Sequence, residues 1–329
     1  MINDTNFFFE DIHIEKFGKL ENITLKNAKK LNFICSGINS GKTTFLEALK
    51  VMLLPLSECR VYNYYNKKYG KKGYSYFKQF FSLSTRTELS WTAQNVKFYD
   101  RLIGGFDTDG KFSGYGYYQL VNDKLKIKKF DGTALNFSEE QPKFSDIWDF
   151  SGNNYNFYDC LSFKDGTDFL DDENSYMKDY IIDFISLYNE DITDIFVKDG
   201  IIYVMSDERG AIPAYVLGDF IYSAIVFYKF IAGCREKVIL IDNFDCMLNS
   251  ISSEAYIEMF LGIIDKLSER DVQFFITVKD AKTLKIFFDI LYRNKRHSQM
   301  AFVCLDKKLE KEISDNLQYA EKENENITD

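Results

Sequence analysis

Apolar residues near the start of the chain are grouped in short runs separated by polar residues. Runs at residues 12–14, 22–25 and 31–34 predict three strands, the third of which leads into a glycine-containing loop. From Thr44 to Leu54 the apolar residues recur at three- and four-residue spacings, which indicates a helix. This order predicts a strand, a loop and a helix in direct succession.

The central part of the chain, residues 59–189, has a different pattern. Residues 80–135 alternate between polar and apolar, which favours antiparallel strands, and Asn122-Asp123 indicates a two-residue hairpin turn. Residues 136–175 give only weak signals, whereas residues 176–188 have helical spacing. We therefore predict that residues 59–189 form a β-rich, partly helical insertion.

After residue 190 a hairpin is predicted, and helices then alternate with wholly apolar strands. The predicted helices and strands cover residues 192–205 (hairpin), 218–232, 238–241, 251–268, 273–277 and 281–292. Apolar strands between helices indicate a parallel sheet covered on both faces. The pattern predicts an α/β domain made from residues 1–58 and 190–305, with a charged tail at 306–329.

Composition and charge narrow the choice of function. The chain has 41 basic and 50 acidic residues and a net charge of −9, which argues against a uniformly basic nucleic-acid coat protein. Its six cysteines form no CxxC pair, so we expect reduced thiols. The most apolar run, residues 220–233, is too short to span a bilayer, and no signal peptide is visible. We expect a cytoplasmic protein without membrane contact.

The stretch CSGINSGKTTFLEAL, starting at Cys35, carries the strongest chemical signal. The phosphate-binding pattern GxxxxGK[ST] is matched at Gly41, Lys42 and Thr43, whereas Ser36 stands at the first glycine position and Gly37 follows it. Backbone N–H groups at a helix N-terminus bind phosphate, a lysine neutralises its charge, and a threonine hydroxyl is a Mg²⁺ ligand. The competing interpretation is a glycine turn with an exposed lysine.

A second motif completes such a site. The apolar strand Val238–Ile241 ends in Asp242. Side chains at the carboxyl end of a parallel strand face the crevice where open α/β sheets bind ligands. We therefore predict that Asp242 joins Thr43 in holding Mg²⁺.

Together these motifs resemble the ABC/SMC/RecF-like ATPases, and most of all the ATPase domain of OLD-family (overcoming lysogenization defect) and related phage-defence proteins. The resemblance rests on Asn39 with GKTT and LEAL, on IPAYVLGDF at residues 212–220, on LIDN at 240–243 and on ITVKD at 276–280. It implies an ABC-type P-loop NTPase fold, with an antiparallel β subdomain and a mostly parallel core sheet flanked by helices.

The resemblance also implies ATP and Mg²⁺ as cofactors and an ATP-sandwiched dimer in which one subunit's signature element covers the nucleotide of the other. The implied nucleotide-binding residues are Ser36, Gly37, Asn39, Ser40, Gly41, Lys42, Thr43 and Thr44 of the loop, with Gly218 and Asp219 of the signature element.

Three positions depart from the family pattern. Asn243 replaces the catalytic Glu, Phe220 replaces the second signature glycine, and Lys279 stands at the position of the switch His. Asparagine can hold a water molecule but cannot accept its proton. These losses favour ATP binding with slow or absent turnover, unless Glu236, Asp245 or a partner's residue supplies the base, or the register around Lys279 is shifted by one.

The resulting hypothesis is an ATP-binding regulatory module that forms a homo- or heterodimer and controls a separate effector, such as a nuclease, in antiviral defence. Too few residues follow Leu305 for the nuclease domain of OLD proteins, so we expect the effector on another chain. The alternative is an active DNA-dependent ATPase of the RecF/SMC type, with DNA bound at Lys67, Lys68, Lys71 and Lys72. A structural subunit that binds no nucleotide is a third possibility.

Overall fold

The computed structural model describes most of both predicted core segments and part of the region between them. The described residues are 9–37, 40–53, 86–93, 96–106, 112–120, 126–131, 155–159, 175–186, 191–218, 238–248, 253–266, 272–279 and 281–306, with positions 68, 72, 75, 80, 222, 225–227, 230, 310, 311, 313 and 314.

The described strands and helices follow one another in a mixed α/β order. The strands are Asp11–Phe17 (β1), Leu20–Leu25 (β2), Leu31–Cys35 (β3), Arg86–Ala93 (β4), Val96–Phe106 (β5), Phe112–Leu120 (β6), Lys126–Asp131 (β7), Tyr155–Asp159 (β8), Ile192–Lys198 (β9), Ile201–Ser206 (β10), Gly210–Pro213 (β11), Val238–Asp242 (β12), Gln273–Val278 (β13) and Met300–Cys304 (β14). The α-helices are Lys42–Met52 (α1), Ser175–Ser186 (α2), Ser253–Lys266 (α3) and Ala281–Arg293 (α4), with 3-10 helices at Ala214–Leu217, Phe244–Met247 and His297–Gln299.

Five described strands form a parallel sheet in the order β14-β3-β13-β12-β8. Every residue of β3, β12 and β13 is buried, as expected for strands with both faces covered. One face packs against α1, and the other packs against α3 and α4. The α/β prediction is confirmed, and the parallel strands bring the ends of β3, β12 and β13 to one edge.

A second described sheet is antiparallel, in the order β2-β1-β4-β5-β6-β7, and a third contains β11, β10 and β9. In the second sheet β4 pairs with β1, with Trp91 opposite Ile12. In the parallel sheet β8 pairs with β12, with Asp159 opposite Asp242. Residues 59–189 therefore contribute strands to both sheets. Such long-range pairing leaves no mark in a local pattern.

The structure also corrects smaller details of the prediction. Strands β8, β11 and β14 were not predicted, because each is short and their polar and apolar residues do not alternate cleanly. Tyr118 lies opposite Lys126, whereas a two-residue turn at Asn122-Asp123 would place Gln119 there. The turn residues themselves lie outside the described part of the chain.

Aromatic side chains fill the core between the parallel sheet and α4. The ring of Phe287 on α4 lies 4.7 Å from that of Phe33 on β3, 5.3 Å from Phe244 and 5.9 Å from Phe260, measured between centroids. All four residues are buried. This cluster fixes α4 on the sheet and anchors the 3-10 helix that follows β12.

We expect Phe287→Ala to lower the free energy of unfolding by about 3–5 kcal/mol, because it removes a large ring and leaves a cavity. Chemical denaturation monitored by circular dichroism measures this. Lys282→Ala, at an exposed position of the same helix, is the control and should change stability by less than about 0.5 kcal/mol. Equal effects of both substitutions would contradict the packing described here.

Candidate functional site

The predicted phosphate loop follows β3 and ends at Gly41, the residue before α1. Gly41 has φ of 109°, a backbone conformation that disfavours other residues. A Cβ at this position would lie 2.5 Å from Cδ2 of Leu20. The backbone N of Phe45 donates to the Gly41 carbonyl at 2.8 Å and closes the first helical turn. The positive φ and the nearby side chain of Leu20 both disfavour any residue other than glycine at position 41.

The side chain of Lys42 folds back onto the loop. Its Nζ donates to the carbonyl oxygens of Ser36 at 2.5 Å and Gly37 at 2.7 Å. The Ser40 hydroxyl donates to the same Gly37 carbonyl at 2.5 Å. Only 8% of Lys42 is exposed. The loop thus places a buried ammonium group directly before the helix N-terminus.

Charges around Lys42 act in opposite directions on its protonation. Burial lowers the pKa of Lys42 from its ordinary value, and the positive charge of Lys279 lowers it further. Asp245 and Asp242 raise the pKa of Lys42 and partly offset this effect. A bound phosphate would also favour the ammonium form, because it adds negative charge next to it.

Asp242 is held between two threonine hydroxyls. Thr43 donates to its Oδ2 at 2.7 Å, and Thr277 at the end of β13 donates to its Oδ1 at 2.6 Å. The backbone N of Asn243 donates to the Thr277 hydroxyl at 2.7 Å. The predicted contact between Thr43 and Asp242 is therefore present. The sequence interpretation missed Thr277, although a polar residue near the end of an apolar strand was a visible signal.

The pair formed by Thr43 and Asp242 has the donor chemistry that suits Mg²⁺. Both supply hard oxygen atoms, and Mg²⁺ takes one or two protein ligands of this kind together with waters and phosphate oxygens. Within the described ranges, no group of three or more His, Cys, Asp and Glu residues is arranged to hold a metal. Water and the phosphate oxygens of a nucleotide are the further ligands that Mg²⁺ commonly takes at such a site.

Asn243 and Lys279 lie next to this threonine and aspartate network. Asn243 has φ of 59° and ψ of 43°, a left-handed conformation, and the 3-10 helix Phe244–Met247 starts directly after it. The backbone N of Lys279 donates to Oδ2 of Asp245 at 2.7 Å, and its Nζ contacts Sγ of Cys246 at 3.3 Å. Asn243 directly follows β12, and Lys279 directly follows β13. These two departures from the sequence pattern therefore lie close to Asp245.

Other predicted site residues are not brought into contact with the loop by the described interactions. The methyl group of Thr44 lies near Gly18: a Cβ added to Gly18 would be 3.4 Å from this methyl group. Gly218 is exposed with φ of 107°, and its carbonyl accepts a bond from Tyr222 N. The positions that lie outside the described residues are Asn39, Asp219, Phe220 and Glu236.

The basic segment proposed for DNA is described at only two of its lysines. Lys68 donates to Glu47 of α1 at 2.7 Å, and Lys72 is exposed. Lys67 and Lys71 lie outside the described residues. Since the charge of Lys68 is balanced by Glu47, this position adds little to attraction for a phosphate backbone.

Cys35, the last residue of β3, lies opposite Cys304 of β14. The side-chain hydrogen bond between Cys35 and Cys304, followed by burial, raises the pKa of Cys35 well above its ordinary value. Both cysteines are free thiols. At neutral pH Cys35 is therefore a neutral thiol and adds no charge to the loop.

No protein-family model and no curated protein sequence matches the chain. Similar solved structures include an SMC head domain from Thermotoga maritima, with a TM-score of 0.42, 11% identity, and 86% of this chain and 92% of that chain covered. SmcHead bound to the C-winged helix domain of ScpA has a TM-score of 0.48 and 12% identity, covering 85% and 91%. An Smc head domain with an extended coiled coil, bound to the C-terminal domain of ScpA derived from Pyrococcus furiosus, has a TM-score of 0.44 and 9% identity, covering 85% and 91%.

Each of these TM-scores is below 0.5, so the proposals below rest on the geometry of the site. The predicted kinship with OLD-family ATPases stays a prediction. Across the described residues, no helix has the length and apolar character that crossing a membrane requires.

We expect Gly41→Ala to destabilise the protein by about 1–3 kcal/mol, since the added methyl overlaps Leu20 and the positive φ is strained as well. Thermal and chemical denaturation measure the loss. Gly210→Ala is the matched control, because Gly210 has φ of 73° but nothing within 4 Å of an added Cβ. The difference between the two variants isolates the steric overlap, and a zero difference would refute it.

Proposed function

We propose that this chain is an ATP-binding module of the ABC/SMC type that binds ATP with Mg²⁺ and hydrolyses it slowly. The observation that supports this most directly is the bond from Thr43 to Asp242, which joins the end of the loop to the end of β12. A glycine turn with an exposed lysine would need neither a buried lysine nor a buried aspartate beside it.

Lys42 supports the same proposal. Its ammonium bonds to two loop carbonyls, and these can be exchanged for phosphate oxygens when a nucleotide arrives. Lys42 would neutralise the β- and γ-phosphates, and the loop amides at the start of α1 would bind the β-phosphate. Thr43 and Asp242 would hold Mg²⁺, which supplies charge neutralisation for the phosphates when bound.

Slow turnover follows from the residue after Asp242. An amide at position 243 can orient a water molecule but cannot take its proton, so general-base assistance of about 10²–10⁴-fold is lost from this position. The proposed output is therefore the nucleotide-bound state itself. In this proposal ATP binding promotes dimerisation, and the dimer regulates a partner effector in antiviral defence.

The first test is ATP binding to purified protein, measured by isothermal titration calorimetry with Mg²⁺. We expect Lys42→Ala to weaken binding by at least about tenfold, equivalent to about 1.4 kcal/mol, because it removes the charge that meets the phosphates. Lys282→Ala, an exposed lysine of α4, is the charge-matched control and should bind as the wild type does. A wild-type protein that binds no ATP would refute the proposal.

The second test concerns the dimer. Tyr215 and Val216 of the signature element are 56% and 62% exposed, which is unusual for large apolar side chains. We expect ATP to shift wild type toward dimers in sedimentation velocity experiments and Val216→Asp to weaken the dimer by at least about tenfold. Ile201→Asp, an exposed apolar position of β10, is the control. A monomer at saturating ATP would contradict nucleotide-driven dimerisation.

A further inference from the structure

Two cysteines lie side by side at the point where the phosphate loop begins. Cys35 is the last residue of β3, Cys304 is the last residue of β14, and the two are direct partners in the parallel pairing of these strands. The pairing continues beyond them, because the backbone N of Leu305 donates to the Cys35 carbonyl at 2.9 Å. A hydrogen bond joins their side chains. The two sulfur atoms are therefore neighbours on one face of the sheet.

The two thiols differ in their access to solvent. Cys35 is wholly buried, whereas Cys304 is partly exposed. A small solute can therefore reach Cys304 first. The hydrogen bond to Cys304 and burial raise the pKa of Cys35, so Cys35 stays protonated and reacts only with a group that is already placed beside it. Oxidation of this pair would accordingly begin at Cys304 and end at Cys35.

Both strand ends are connected to the phosphate loop. Cys35 is directly followed by Ser36, whose carbonyl accepts a hydrogen bond from Nζ of Lys42 at 2.5 Å. The chain that leaves β14 also lies beside the loop: a Cβ added to Gly37 would be 3.9 Å from Oδ2 of Asp306. A displacement of Cys35 or Cys304 would therefore be transmitted to the residues that hold the loop lysine.

A disulfide between these cysteines would require such a displacement. Neighbouring strands lie about 4.8 Å apart, whereas the Cβ atoms of a disulfide lie about 3.8 Å apart. The bond would therefore draw the ends of β3 and β14 together by about 1 Å. Strained disulfides are more easily reduced than relaxed ones, and this property suits a reversible, regulatory bond.

We propose that Cys35 and Cys304 form a reversible disulfide, with a low-molecular-weight disulfide such as oxidised glutathione as the oxidant, and that this bond weakens ATP binding by displacing the start of the phosphate loop. The effect on ATP rests on the proposed function, whereas the formation of the bond does not.

The reaction has two exchange steps. The Cys304 sulfur loses its proton and forms a bond to one sulfur of the oxidant, whose S–S bond breaks, and the other sulfur leaves with the electron pair and takes up a proton. The Cys35 sulfur then attacks the Cys304 sulfur, and the remaining half of the oxidant leaves and takes up the Cys35 proton. Two protein thiols are oxidised, and one small disulfide is reduced to two thiols.

Mass spectrometry tests the bond itself. The full chain is exposed to oxidised glutathione, its remaining thiols are alkylated, and its proteolytic peptides are compared before and after reduction with dithiothreitol. We expect a crosslink between the peptides of Cys35 and Cys304 that reduction removes. Cys246→Ser, which removes an exposed thiol, is the control and should leave this crosslink unchanged. A glutathione adduct that stays on Cys304, or no reaction at Cys304, would overturn the proposal.

Isothermal titration calorimetry with ATP and Mg²⁺ tests the consequence of the bond. We expect oxidation of the wild type to weaken ATP binding by at least about tenfold and dithiothreitol to restore it, because a binding site needs its groups held to within about 0.5 Å. Cys304→Ser cannot form the bond and should bind ATP as the reduced wild type does, with or without the oxidant. Cys304→Ala serves the same purpose if the serine variant does not fold.

The two measurements separate this inference from the proposed function. Equal ATP affinities of the crosslinked and reduced wild type would overturn the regulatory role of the disulfide, yet would leave the proposed binding function intact. A reduced wild type that binds no ATP would refute the proposed function and with it the effect on affinity, whereas the crosslink between Cys35 and Cys304 would still be measured independently.

Discussion

The buried carboxylate of Asp242 is the interaction on which the rest of the site depends. It is 2% exposed, and a buried charge is stable only when hydrogen bonds compensate for its lost hydration. Thr43 and Thr277 provide those bonds from two different elements. Because β13 lies between β3 and β12, the chain that leaves β3 must cross about two strand spacings, roughly 10 Å, before Thr43 can bond to Asp242. The loop achieves this by carrying Thr43 over the end of β13.

Charges of both signs act on the side chain of Lys42. The negative charges of Asp245 and Asp242 raise the pKa of Lys42, and the positive charge of Lys279 lowers it. Asp242 is largely occupied by hydroxyl donors, and Asp245 by a backbone N–H. In the proposed function, the two ammonium groups and the N-terminus of α1 would provide the positive field that a polyphosphate needs.

Much of this arrangement could be predicted from the sequence. The strand, loop and helix around Lys42, and the apolar strand ending in Asp242, are local patterns, and each places its functional residue at an element end. Thr277 and Asp245 could not be placed, because their contacts depend on β13 lying between β3 and β12. The left-handed conformation of Asn243 could not be predicted from the sequence either, since asparagine also occurs in ordinary turns. The pairing of β4 with β1 and of β8 with β12 was missed for the same reason, as it depends on distant segments.

The position of β8 has a consequence for solubility. Of the described strands, β8 lies at one end of the parallel sheet and covers β12, all of whose residues are buried. Without β8, β12 would offer an unpaired row of backbone N–H and C=O groups beside apolar side chains, a template for strand addition by another chain. The central segment of the chain thus protects the strand that carries Asp242 from aggregation, and shortened forms of this protein that lack it would need another cover for that edge.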